Sequence, residues 1–211
     1  MTHIAAPRYG GITLRTAMAM DTIKLNLGCG TKRLEGWVNV DSMATFDPDV
    51  VWDLETFPWP WDDNSVDEVL LAHVLEHLGE QRDVYLRIIQ ELYRICRHGA
   101  IIRILVPHPR HDTYLWDPTH VRPITVEGMQ MFDQAQNRAW VANKNANTPL
   151  GLYLGVDLRM RSHQYVLDPL FSEKRQRNEV SSEELQVLLR THNNVCMQIN
   201  MECEVNKDPT R

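Results

Sequence analysis

Two glycines that follow a short apolar run are the first residues whose spacing suggests a binding function. Residues 23–27 (IKLNL) have the pattern of a buried strand, and Gly28 and Gly30 come directly after it. Because glycine has no Cβ, the backbone of such a turn can approach a bound ligand closely. Asp41 ends the next predicted strand, residues 37–40, where a carboxylate is placed to accept both hydroxyls of a ribose. A Gly-x-Gly alone would be an ordinary tight turn, but the ordered set indicates a ribose-containing ligand.

A second pattern, His73-x-x-Glu76-His77, matches the H-x-x-E-H motif of inverted zinc proteases. Two histidines four residues apart on one helix can chelate a metal ion, with Glu76 as the general base. The segment also follows a predicted strand, residues 66–72, which places His73 at a carboxyl end, where ligands bind in open α/β sheets. In that interpretation Glu76 and His77 serve helix structure and packing, and we predict no metal ligand and no loss of function with a chelator.

The segment 108–125 is rich in histidine, aspartate and proline and follows the fifth predicted strand. Loops at that edge of a sheet often carry substrate chemistry. Histidine, with an ordinary pKa of about 6.5, suits a general base near neutral pH. We predict that five side chains of the loop face a substrate: His120, then His111 and His108, as candidate bases, and Arg122 and Tyr114 as binding residues. Structural hydrogen bonding and metal binding are alternative roles for this loop.

The elements that must position these residues alternate between strands and helices. Five apolar runs predict strands at residues 23–27, 37–40, 49–52, 66–72 and 100–106, and a helical rhythm predicts a helix over residues 80–97. Because the strands lack polar alternation, we expect a mostly parallel sheet that is covered on both faces. The connection after the glycine turn is too short for a full crossover helix, so the first helix should be vestigial.

The second half of the chain has a weaker pattern. We expect a short helix at residues 125–133, a capped helix at residues 181–191, and an antiparallel pair of strands at residues 155–167 and 195–205. The fold class is therefore α/β, with a mostly parallel central sheet and an antiparallel C-terminal strand pair.

Composition limits the range of functions. The chain has 211 residues, of which 43% are hydrophobic and 24% are charged, as in an ordinary globular domain. With 22 basic and 28 acidic residues, its net charge of -6 disfavours nucleic acid as a partner. No apolar run has the roughly 20 residues that span a membrane. The four cysteines form no C-x-x-C pair, which favours a reducing, cytoplasmic location.

The segments LNLGCG, VNVD, DVVWDLETFPWPWDDNSVDEV, LLAHVLEHL and IRILVP resemble, in order and spacing, class I methyltransferases, particularly the type 11-like group. The resemblance covers residues 24–107 and implies a Rossmann-like fold with S-adenosylmethionine as cofactor and S-adenosylhomocysteine as product. It implies that Gly28 and Gly30 face the methionine part, Asp41 the ribose, and Asp53 and the Leu54 backbone the adenine edge. The full predicted cofactor set is Asn26, Gly28, Cys29, Gly30, Asp41, Asp53, Leu54 and His73.

The chain departs from the family at Asn26, where an acid often helps to hold the amino group of the cofactor. We predict a flexible arm at residues 1–22 and one methyltransferase domain at residues 23–211, with a cofactor-binding half (23–107) and an acceptor-side half (108–211). The predicted function is methyl transfer to a small-molecule, sugar or lipid-linked acceptor, with no oligomeric state assigned. The alternatives are a zinc metallohydrolase, through the H-x-x-E-H motif, and a noncatalytic S-adenosylmethionine-binding module.

Overall fold

A seven-stranded sheet forms the centre of the computed structural model, which describes residues 22–208. The strands are β1 (Lys24–Leu27), β2 (Val38–Asp41), β3 (Val50–Val51), β4 (Val66–Ala72), β5 (Cys96–Pro107), β6 (Leu158–Leu167) and β7 (Cys196–Val205). Their spatial order is β3-β2-β1-β4-β5-β7-β6. The first five strands pair in parallel, whereas β7 is antiparallel to both β5 and β6. This topology confirms the predicted fold class. The predicted arm, residues 1–22, lies outside the described residues except for its last residue.

Seven α-helices connect these strands in the described range. They are α1 (Arg82–Ile95), α2 (Asp112–Leu115), α3 (Val126–Gln130), α4 (Gln134–Ala142), α5 (Leu150–Leu154), α6 (Pro169–Gln176) and α7 (Ser182–Thr191). The predicted helices correspond to α1, α3 and α7, while α2, α4, α5 and α6 were not predicted. Ser181 and Glu184 form the capping box of α7, as the sequence pattern suggests. No helix in residues 22–208 is both long and apolar enough to cross a membrane.

The apolar core lies on one face of the sheet. Ile88, Ile89 and Leu92 of α1 recur at helical spacing and are fully buried in one cluster with Ile102 and Ile104 of β5. On the opposite face, a ladder of ion pairs crosses three strands: Lys24 lies 3.1 Å from Glu68, and Arg103 also pairs with Glu68. The expectation of two covered faces is therefore wrong for this part of the sheet, because no α-helix lies between β1 and β4 in the described chain.

A side-chain network takes the place of a helix between β1 and β2. The buried Asn39 amide donates to the carbonyl of Leu34 (3.1 Å) and to Asp49 (2.8 Å), and its oxygen accepts from the Leu34 N–H (2.7 Å). Asn26 donates to the same Asn39 oxygen (3.0 Å) and to the carbonyl of Lys32 (2.9 Å). Burial raises the pKa of Asp49, but hydrogen bonds from Asn39 outweigh this effect and lower the pKa overall. The predicted vestigial helix is thus a turn that is held by amide side chains.

The tryptophans of the FPWPW stretch belong to the core. Trp59 and Trp61 are buried, and the Trp59 indole N–H donates to the carbonyl of Leu54 (3.0 Å). Glu91 of α1 accepts from the Trp59 backbone N–H (2.7 Å) and pairs with Arg94 (2.7 Å). These contacts hold the segment after β3 against α1. Both tryptophan side chains therefore serve to pack the core.

We expect Asn39→Ala to lower the free energy of unfolding by about 1–3 kcal/mol, because it leaves buried polar groups of the β1–β2 turn without partners. Urea denaturation followed by circular dichroism measures the change. Asn145→Ala, at an exposed loop position, is the control and should change stability by less than about 0.5 kcal/mol. Equal stability of the two variants would show that the network does not hold the turn.

Candidate active site

A cavity of about 90 Å³ lies at the carboxyl ends of β1, β2 and β3. Parallel α/β sheets bind ligands at this edge. The cavity brings together four residues of the predicted cofactor set with four lining residues that were not predicted. The lining consists of Gly28, Asp41, Asp53 and Leu54, together with Ser42, Trp52, Val74 and Leu78.

The glycine turn approaches the end of β4 closely. Gly28 has a φ of +65°, and a Cβ added there would lie 2.5 Å from a methyl group of Val74. Gly28 is therefore required by contact with the protein itself, in addition to any ligand. Gly30, at φ +48°, differs because a Cβ added there would meet nothing within 4 Å. Its position faces open space, as a cradle for a bound molecule requires.

Asp41 holds this turn through two backbone hydrogen bonds. One carboxylate oxygen accepts from the Gly30 N–H (2.8 Å), and the other accepts from the Met43 N–H (2.9 Å). An ionised carboxylate offers roughly four acceptor positions, so each oxygen retains capacity for a further donor. Cys29 is buried beside it, and burial raises the pKa of its thiol, which keeps the thiol neutral.

Trp52 is a cavity residue that the sequence interpretation missed. It stands one residue after β3 and directly before Asp53, so its position at a strand end was the available signal. Asp53 is exposed and accepts from the Glu55 N–H (2.9 Å). The cavity therefore has an aromatic side chain and two carboxylates at neighbouring strand ends.

His73 follows β4 in a left-handed conformation, with φ +57°. Such a φ is uncommon for a residue other than glycine and is often found at functional positions. One ring nitrogen lies 2.9 Å from the Gln198 side-chain oxygen and the other 3.5 Å from a Glu76 oxygen. The Glu76 carboxylate raises the pKa of His73.

The zinc protease interpretation requires His73 and His77 to lie on one helix. The 3₁₀ helix Leu75–His77 begins only after His73, so the two histidines do not share a helix and that interpretation is wrong.

Glu76 lies fully buried beside the histidine-rich loop. Neither of its carboxylate oxygens has a hydrogen-bond partner within the described chain. Its backbone carbonyl accepts from the Val121 N–H (2.9 Å), which attaches the loop to the end of β4. One ring nitrogen of His77, one of His120 and one Glu76 oxygen all lie within 4.8 Å of one another.

The loop presents His120 against Tyr114. The Nδ1 atom of His120 lies 2.7 Å from the Tyr114 carbonyl, and the two rings stack with centroids 5.0 Å apart. Between them, Leu115 and Trp116 are 66% and 73% exposed. The loop thus combines a cluster of polar rings with two apolar side chains that face solvent.

Comparisons with known proteins agree with this architecture. Residues 36–104 match the family model of a methyltransferase domain. A S-adenosylmethionine-dependent methyltransferase from Archaeoglobus fulgidus is 19% identical, with a TM-score of 0.57, and the match covers 90% of this chain and 89% of that one. A Haemonchus contortus phosphoethanolamine N-methyltransferase bound to S-adenosylhomocysteine is 13% identical, with a TM-score of 0.50, and covers 92% of this chain and 51% of the other. At these identities the solved structures are alike in fold. No curated protein sequence matches the chain.

Residues 36–104 are thus similar to a methyltransferase domain, and the whole sheet has the fold of the solved methyltransferases above. The matched range includes β2, β3, β4 and α1 and most of β5, so it contains most of the cavity lining. The glycine turn lies immediately before the matched range and is joined to it by the hydrogen bond from Gly30 to Asp41.

Three of the residues predicted to face an acceptor have partners within the protein. His111 is buried, and its ring nitrogens contact Thr113 (2.8 Å) and Asp168 (3.3 Å). Arg122 donates to the Gly79 carbonyl and lies 4.2 Å from the Tyr85 ring centroid. The Nδ1 atom of His108 accepts from the Arg110 N–H (3.1 Å), and burial lowers its pKa. These contacts favour structural roles for His111 and Arg122 and leave His120 as the strongest candidate base.

Proposed function

We propose that the protein transfers the methyl group of S-adenosylmethionine to a small-molecule, sugar or lipid-linked acceptor. The strongest support is that residues 73–78 contact both the cavity at the strand ends and the histidine-rich loop. Val74 and Leu78 line the cavity at the strand ends, while Glu76 and His77, between them, contact the histidine-rich loop. A cofactor in the cavity and an acceptor under the loop would thus be neighbours.

The residues of the cavity fit the cofactor. The open space at Gly30 admits a ligand close to the backbone, and the fixed carboxylate of Asp41 can accept from ribose hydroxyls. Trp52 and Leu54 offer apolar surface for an adenine ring. When bound, the cofactor supplies an activated methyl group, so the protein has to orient the acceptor and exclude water.

His120 is the proposed general base. The contact between its Nδ1 and the Tyr114 carbonyl requires the proton on Nδ1, because a carbonyl only accepts. The unprotonated Nε2 can therefore take a proton from an acceptor hydroxyl or amine during methyl transfer. Residues 23–107 would hold the cofactor and residues 108–211 would supply the acceptor side.

The charges and apolar side chains around the loop favour a small acceptor with an apolar part. Leu115 and Trp116 present exposed apolar surface on the same loop as His120. The net charge of -6 is unsuited to a polyanionic acceptor such as nucleic acid. We also propose a reducing, cytoplasmic location, because the four cysteines are free and buried.

We expect Asp41→Ala to weaken binding of S-adenosylhomocysteine by about 1–3 kcal/mol, because ribose hydroxyls would lose a charged acceptor. Isothermal titration calorimetry measures the affinity. Asp62→Ala removes an exposed carboxylate outside the cavity and should bind like the parent. If Asp41→Ala is folded and binds as tightly as Asp62→Ala, the cavity does not hold the ribose.

We expect His120→Ala to reduce turnover by at least about 100-fold and to leave cofactor affinity nearly unchanged, because the side chain acts on the acceptor. A screen with methyl-labelled cofactor against metabolite, sugar-nucleotide and lipid-linked pools first identifies an acceptor, and kcat is then compared between variants. His163→Ala, at an exposed position of β6, is the matched control. Unchanged turnover in His120→Ala would exclude it as the base.

A further inference from the structure

The buried Glu76 carboxylate lacks a compensating hydrogen-bond donor. Its side chain is 1% exposed, and neither oxygen has a hydrogen-bond partner within residues 22–208. Burying an unpaired carboxylate costs several kcal/mol, so such groups in folded proteins are usually paired or coordinate a metal. The contact with His73 is 3.5 Å long and reaches only one oxygen.

The tautomer of His77 is set by a chain of hydrogen bonds. The Thr119 hydroxyl donates to Asp117 (2.6 Å), so its oxygen is left to accept from the Nδ1–H of His77 (2.9 Å). Asp117 also accepts from the Thr119 backbone N–H (2.8 Å), which holds it in place. In its neutral form His77 therefore carries its proton on Nδ1 and leaves Nε2 as the electron-pair donor.

His120 reaches the same state by a different contact. Its Nδ1–H donates to the Tyr114 carbonyl, which leaves Nε2 with a free lone pair. The rings of His77 and His120 lie with centroids 4.6 Å apart, and the ligand atoms of both approach a Glu76 oxygen within 4.8 Å. In each neutral ring Nε2 is the nitrogen left to donate an electron pair. A cation at this cluster would offset the charge of Glu76.

We propose that Glu76, His77 and His120 bind one divalent transition-metal ion. Two imidazoles and one carboxylate suit Zn²⁺ and related first-row metals, and hydrogen bonds from Nδ1 to oxygen acceptors are the usual support for metal-binding histidines. Three protein ligands leave a position for an acceptor oxygen. With the ion bound, His120 is a ligand and no longer the base, and the ion itself would favour loss of the acceptor's proton. This proposal replaces the sequence-based expectation of a metal-free site. A role of the ion in binding the acceptor rests on the proposed function, whereas the binding of the ion does not.

The direct test is titration of the metal-free full chain with Zn²⁺, followed by calorimetry, and with Co²⁺, followed by visible absorption. We expect one ion per chain and a Co²⁺ spectrum typical of four or five ligands. Glu76→Gln and His120→Ala should each weaken binding by at least about tenfold, and Thr119→Val, which frees the His77 tautomer, by about 10- to 100-fold. His163→Ala removes an exposed histidine outside the cluster and should leave binding unchanged.

Absence of stoichiometric binding to the parent chain would overturn the proposal, as would equal binding by Glu76→Gln, Thr119→Val and His163→Ala. Circular dichroism of each variant establishes that it is folded, and Thr119→Val changes an exposed residue that is not itself a ligand. Affinity for S-adenosylhomocysteine is measured on the same samples. Metal binding without cofactor binding would reject the proposed function alone, and cofactor binding without metal binding would reject the metal site alone.

Discussion

The close approach of Gly28 to Val74 is the contact on which the candidate site depends. It brings the turn after β1 against the residue that follows β4, at a separation where even a methyl group on Gly28 would overlap the valine. Val74 and Leu78 line the cavity together with Gly28 and Asp41. Because Glu76 lies between Val74 and Leu78 in the chain, the contact also sets the position of the histidine cluster relative to the cavity.

The connections around the cavity contain little helix, so polar side chains supply what a helix would otherwise provide. Asn39 satisfies backbone groups of the β1–β2 turn, and Asp41 binds the N–H groups of Gly30 and Met43. A helix satisfies its backbone internally, whereas this turn relies on two strand residues. As a consequence, Asp41 has a structural role in addition to the binding role proposed for it, and its replacement has to be tested for stability as well as affinity.

The sequence predicted β4 residue for residue and the approximate positions of the other strands along the chain, because buried apolar runs are local signals. It also predicted four of the eight cavity residues: Gly28 and Asp41 from their places at strand ends, and Asp53 and Leu54 from the family resemblance. The other cavity residues and the roles of the loop histidines depend on contacts between segments that are distant in the chain. The sequence suggested His111 as a base, but its ring contacts Asp168, which is 57 residues away in the chain. The sequence likewise did not predict that Val74 lies against Gly28. The type of a residue indicates which chemistry it could perform, whereas the residues that contact it in the fold determine whether it is free to do so.

The histidine-rich loop is held against the segment after β4 by several hydrogen bonds, and the proposed ion would add a further link. The carbonyl of Glu76 holds the N–H of Val121, while its carboxylate faces His120, the residue before Val121. The backbone hydrogen bond needs no ligand. A link between the Glu76 carboxylate and the His120 ring, both electron-pair donors, requires a cation between them. A metal ion would therefore hold His120, and with it the Tyr114 carbonyl that contacts its Nδ1, against the segment that follows β4. The loop proposed to contact the acceptor would then be fixed in part by the cation that balances the charge of Glu76.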